Sequence, residues 1–193
     1  MKVKIFGLII LALAMASCNA LENKSTSASM LEIVSITDPD GKLPVFSSVS
    51  YSINDNGLVE VNALPLDPLL VTTSTTPYFD VLIDQIDVAF KRTDGRNVEG
   101  VDVPYSFTQP MSMQVAINGK ASIPFILIRH VAKLEAPLLA LHETPNQAKI
   151  LQLVAVVTIH GKDTGGHRVA PVTGNVSIWC GNTATTTAFM NIR

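Results

Sequence analysis

What most constrains this chain is a succession of short segments in which apolar and polar residues alternate at period two. They are interrupted roughly every 8–14 residues by Gly, Pro, Asn and Asp. Period two places alternate side chains on opposite faces of an extended strand, and the interrupting residues are those that turns require. Residues 31–37 are β-branched and near-alternating. Residues 47–53 set Val49, Tyr51 and Ile53 against serines and an asparagine. The longest candidate strand spans 79–92. Val81 and Ile83 hold one parity there, while Ile86, Val88 and Phe90 hold the other. A bulge near Asp84-Gln85, which inserts one residue and flips the faces, reconciles the two.

Further strands are expected at 103–107, 111–117 and 121–129. Asn56-Gly57 and Asn118-Gly119 each read as a tight hairpin turn, since asparagine and glycine tolerate positive φ. Asp38-Pro39-Asp40-Gly41 and Thr93-Asp94-Gly95-Arg96 are also turns. Residues 63–78, with Pro65, Pro68 and Pro77, suit an edge strand or loop, because proline lacks the ladder N–H. One short helical turn is expected near 133–142, limited by Pro137. Residues 149–160 are apolar on both faces, as for a central strand, and 161–166 turn them into a last strand, 167–180. The pattern predicts an all-β fold, a single antiparallel β-sandwich of about nine or ten strands over residues 31–181. Long helices between strands are missing, which argues against an α/β sheet. In architecture this resembles immunoglobulin-like and fibronectin-type sandwiches, although the Cys…Trp…Cys hallmark of immunoglobulin domains is not present.

The N-terminus has a separate character. Lys2 and Lys4 precede the apolar run 5–15, and Ala16 and Ser17 lead into Cys18. A basic n-region, a short apolar h-region and a small-residue site make a secretory signal. The run is shorter than the roughly 20 residues of a membrane span. Ala16-Ser17-Cys18 resembles the lipobox of bacterial lipoproteins, with Met15 in place of the usual leucine. That resemblance implies a signal peptide at 1–17 and acylation of Cys18. Asn19 in place of an aspartate then points to the outer membrane. Residues 18–30, small and polar, would form a lipid-anchored flexible tether with a reach of about 20 Å. Residues 182–193 form a polar tail.

Charge and cysteine usage narrow the classes. Removing Lys2 and Lys4 from 14 basic residues leaves 12 against 16 acidic, a formal charge of −4. That balance recommends no nucleic-acid partner. With Cys18 acylated, Cys180 has no cysteine to pair with, and its neighbours Ile178 and Trp179 suggest a buried thiol. No GxSxG, HExxH, Walker A or CxxCH sequence occurs, and no cofactor is expected.

Three groups of residues could carry a site. His160, Asp163 and His167 flank one turn, and imidazole and carboxylate ligate transition metals. Asp38, Asp40, Asn54, Asp55 and Asn56 offer loop oxygens of the kind calcium takes, without EF-hand spacing. Arg92, Asp94, Arg96, Asn97 and Glu99 lie on a charged loop suited to recognition. The chain as a whole is similar to single-domain lipoproteins of Gram-negative bacteria. The likeness rests on Ala16-Ser17-Cys18 and on FKRTDGRNVEGVDVPYSF (90–107) and FILIRHVAKLEAPLL (125–139). It implies no activity and no functional residue. The expectation is a non-enzymatic protein of the cell envelope, held to the membrane by lipid and binding another envelope or extracellular protein. The alternatives are a ligand- or metal-binding module, or a hydrolase whose site only the fold assembles.

Overall fold

The computed structural model describes residues 26–67, 77–142 and 149–182. The signal segment 1–17, Cys18 and the tail from 183 onward lie outside the described residues. The chain forms β1 (Ser29–Thr37), β2 (Val45–Ser48), β3 (Asp55–Pro65), β4 (Val81–Lys91), β5 (Phe107–Val115), β6 (Lys120–Ile128), a short helix α1 (His130–Lys133), β7 (Leu151–Asp163) and β8 (Val172–Gly181). Single 3-10 turns occur at Pro77–Phe79 and Leu139–Leu141. The eight strands make two sheets, a three-stranded one ordered β1-β3-β6 and a five-stranded one ordered β2-β8-β7-β4-β5. One hydrophobic core joins them. It takes Val59, Val61 and Ile123 from the first sheet and Ile83, Ile86, Val157 and Ile178 from the second.

The bulge in β4 lies where the parity of its apolar residues changes. Pairing with both neighbours shifts register between Ile83 and Gln85, and Val81, Ile83, Ile86 and Val88 are all fully buried. β7 is central, between β8 and β4. Ala155, Val157 and Ile159 are fully buried on its core face, and Val154, Val156 and Thr158 are half-buried on the other.

Several local expectations are corrected. Among the described residues the strands number eight, because 103–106 contributes only an isolated bridge from Val103 to Glu99 and Phe107 already opens β5. β2 runs parallel to β8, so the five-stranded sheet is mixed. Asn56-Gly57 is no hairpin turn but lies inside β3, which pairs with β1 and β6. Gly57 serves a close approach there, since a Cβ would stand 2.7 Å from Cζ of Phe125. Asn118-Gly119 is a tight turn, with Asn118 at φ 59°. It carries the chain from the five-stranded sheet to the three-stranded one rather than joining paired strands. The folded chain also starts earlier than the tether boundary suggests, with Ser29 already in β1 and buried.

Pairing registers fix which loops share an end. Ser29 is opposite Pro65, and Val81 is opposite Asp163. Ser27 donates its backbone N–H to Arg168 (3.2 Å) and Ser29 its hydroxyl to the Phe79 carbonyl (2.7 Å). The first described residues therefore enter beside the β7–β8 turn. Asp55, Ile128, Lys91 and Gly181 lie at the opposite end, with loops 49–54, 92–106 and 129–142.

Candidate functional site

The far end is built around a buried lysine. The Nζ of Lys133 donates to a carboxylate oxygen of Asp55 at 2.8 Å and to the Ser48 carbonyl at 3.0 Å, and the residue is fully buried. Ser47 donates its hydroxyl to the other Asp55 oxygen. One lysine thus ties α1 to the end of β2 and the start of β3, across both sheets. Cys180 lies against this cluster. Burial, with the Asp55 charge adding to it, pushes its thiol up to about 12, so the sulfur is a neutral, packed group. The sequence offered no sign of this role for Lys133. It opens the helical-looking stretch 133–142 among apolar residues, and only the fold shows that its neighbours are polar.

Loop 92–106 is organised around Asp94. Both its oxygens accept from Arg92, and it also accepts from the backbone and side chain of Arg96 at 3.2 Å. The Arg92 hydrogen bond is the main cause that holds the Asp94 carboxyl down at about 2. Asn97 accepts from the Arg92 backbone (2.7 Å), and Glu99 accepts from the Ser106 backbone (3.2 Å). Four of the five expected loop residues, Arg92, Asp94, Arg96 and Asn97, are therefore brought together, and Glu99 instead ties the loop to Ser106, largely to shape the loop itself. What the loop presents outward includes Val98, Val101 and Tyr105, each at least half exposed. At its base, the Arg129 guanidinium sits 4.5 Å over the Phe107 ring. His130 next to it donates its backbone N–H to Asn54 at 2.7 Å. Loops 49–54, 92–106 and 129–142 are thereby linked. Eight of the thirteen exposed large hydrophobic residues among the described residues lie on them: Tyr51, Ile53, Val98, Val101, Tyr105, Val131, Leu134 and Leu139.

The histidine group does not assemble. His160 faces outward on β7 and meets Asp87 at 2.8 Å, whereas Asp163, three residues on, is buried on the opposite parity. Strand alternation separates them. Asp163 instead accepts from the His167 backbone at 2.8 Å and lies 3.3 Å from the His167 ring. Burial raises the Asp163 carboxyl, but hydrogen bonds from His167 and Ser27 outweigh it and the net shift is downward. At Asp87 burial is likewise overcome, by Thr108, Gln85 and His160. Among the described residues, no three His, Cys, Asp or Glu side chains come together in a way that could hold a metal ion.

The calcium candidates are also dispersed. Asp38 accepts from the backbones of Asp40 and Lys42, Asn54 caps His130, and Asp55 holds Lys133. Among the described residues no helix is long and apolar enough to cross a membrane.

No family model matches the chain, and no curated protein matches it. Among solved structures, a Bordetella pertussis protein assigned as ApaA is similar over 82% of this chain and 98% of its own, at 11% identity and a TM-score of 0.34. A likeness at that level carries no statement about fold or function.

Proposed function

We propose that this chain is a lipid-anchored cell-envelope protein whose β-sandwich, of immunoglobulin-like or fibronectin type, binds another envelope or extracellular protein and is not an enzyme. The sheet orders β1-β3-β6 and β2-β8-β7-β4-β5 support the sandwich type. The observation that carries the binding reading is the position of the exposed apolar side chains. They concentrate at the end of the domain opposite Ser27, where the described chain enters. A chain tethered through Cys18 would turn that end away from the membrane. Large exposed apolar patches mark interaction sites, and the grouping of these side chains on linked loops supports that reading.

Two measurements test the proposal. The Cys18→Ser variant should fold yet leave the membrane fraction on washing; retention would remove the anchor. A photo-crosslinking residue at position 101 or 105 in intact membranes should then capture a defined protein. Monomer alone across both positions would refute the binding surface.

A further inference from the structure

On the reading of Cys18 as the lipid anchor, we infer that the end of the domain where the chain enters is a foot that rests in the bilayer interface. It sets Met30, Leu64, Leu66 and Tyr78 into the lipid surface that holds Cys18. β1 and β3 present one face to the core, where Ser29, Leu31 and Ala63 are buried. Their outer face changes character along its length. Met30 is paired with Leu64, and one row nearer the end the Leu66 N–H donates to the Ala28 carbonyl at 2.7 Å. Both rows are apolar, with Met30 and Leu66 exposed. The next row inward is Glu32, Asn62 and Lys120, which crosses all three strands and is polar throughout. The Asn62 amide donates to Glu32 there at 3.2 Å. Two residues of strand rise about 7 Å, which separates the two apolar rows. An interfacial segment sinks about 5–10 Å into the headgroup and acyl boundary, so the apolar end has the depth that such a surface covers.

Tyr78 joins the same end. The Ser29 hydroxyl donates to the Phe79 carbonyl at 2.7 Å and holds the turn Pro77–Phe79 against β1. Tyr78 is 72% exposed, more than any other large hydrophobic side chain among the described residues. A tyrosine has an apolar body and a polar tip, which suits the headgroup level of a bilayer.

The length of chain before Ser27 selects the bilayer as the occupant. Eight residues, 19–26, separate Cys18 from Ser27. Whatever conformation they take, Cys18 and Ser27 lie within about 32 Å of each other. β3 runs the length of the domain over 11 residues, about 33 Å. Setting the far loops on the same surface would therefore stretch the segment to its limit, whereas the foot reaches it with slack. Anchoring also raises the local concentration of this end at the lipid, so a contact too weak to hold a free protein is populated.

Cys180 is buried and its thiol lies at about 12, so a maleimide lipid couples the chain from Cys18 onward through Cys18 alone. This imposes the anchor, and the outcome does not depend on whether cells acylate Cys18. Mass spectrometry of the N-terminal peptide from cell membranes tests acylation separately. The vesicles are phosphatidylethanolamine and phosphatidylglycerol with nitroxide-labelled acyl chains. A fluorescent amino acid at position 66, 78 or 101 reports depth by quenching. Quenching should be at least threefold stronger at 66 and 78 than at 101. Met30→Glu with Leu66→Glu, both exposed, should bring quenching at 78 down to the level at 101 without lowering the melting temperature. Three results would overturn the inference: equal quenching at 66, 78 and 101, quenching at 78 that the two glutamates leave unchanged, or cross-links between position 66 of two copies on the vesicle.

Discussion

Replacing Lys133 by methionine should destabilise the domain by about 3 kcal/mol. The volume is nearly kept, so the loss comes from charge and hydrogen bonding rather than from a cavity. Breaking a buried pair by removing one partner costs about 3–5 kcal/mol, because the remaining charge is left without compensation. Asp55 retains 17% side-chain exposure, against 1% for Lys133, so water relieves part of the penalty and the low end applies. The Ser48 carbonyl also loses its donor. For a domain of this size, 3 kcal/mol lowers the melting temperature by roughly 6–12 °C. Removing both charges, Lys133→Met with Asp55→Leu, takes away the stranded carboxylate. The double variant should therefore be more stable than the sum of the two single losses implies, by at least about 1 kcal/mol. Urea and thermal unfolding followed by circular dichroism measure all three variants at pH 7. A Lys133→Met protein within 1 kcal/mol of the parent, or losses that simply add, would refute the view that this pair locks α1 to the two sheets.

Other expectations follow from the same geometry. Gly57→Ala forces a Cβ onto the buried Phe125 ring and should cost about 1–3 kcal/mol in urea unfolding. Gln109→Ala strips the Ile126 backbone of both side-chain partners and should cost about 1–2 kcal/mol, with faster exchange of the Ile126 amide. In the native protein, Cys180 should react with a thiol reagent at pH 8 about a thousandfold more slowly than in guanidinium, since its thiol lies near 12 rather than 9.0; equal rates would show the site is open. The Asp163 carboxyl is held below its unfolded value of 3.8. It therefore adds stability that is present above that pH and lost as the pH falls through the folded value. Asp163→Asn should flatten the acid side of the stability profile; an unchanged slope would remove this aspartate from the acid response.

The alternation of β-branched and polar residues determined by itself that this chain makes strands and where most of them lie. It went as far as locating the β4 bulge, because moving buried residues from odd to even positions admits no other strand geometry. It also identified β7 as central, since a strand covered on both sides must be apolar on both faces. It could not assign strands to sheets. Asn56-Gly57 and Asn118-Gly119 have the same local chemistry, yet one lies inside a strand under Phe125 and the other crosses between sheets. Local φ preference does not know which apolar faces will meet.

The sites divide in the same way. Loop 92–106 was legible because its charges and glycines are contiguous, and Asp94 gathers its arginines within two residues on either side. His160 and Asp163 were close in sequence and were separated by the pleat. Lys133 and Asp55 are 78 residues apart, and only the packing of two sheets, which excludes water from around them, makes a pair of what reads as two ordinary charges.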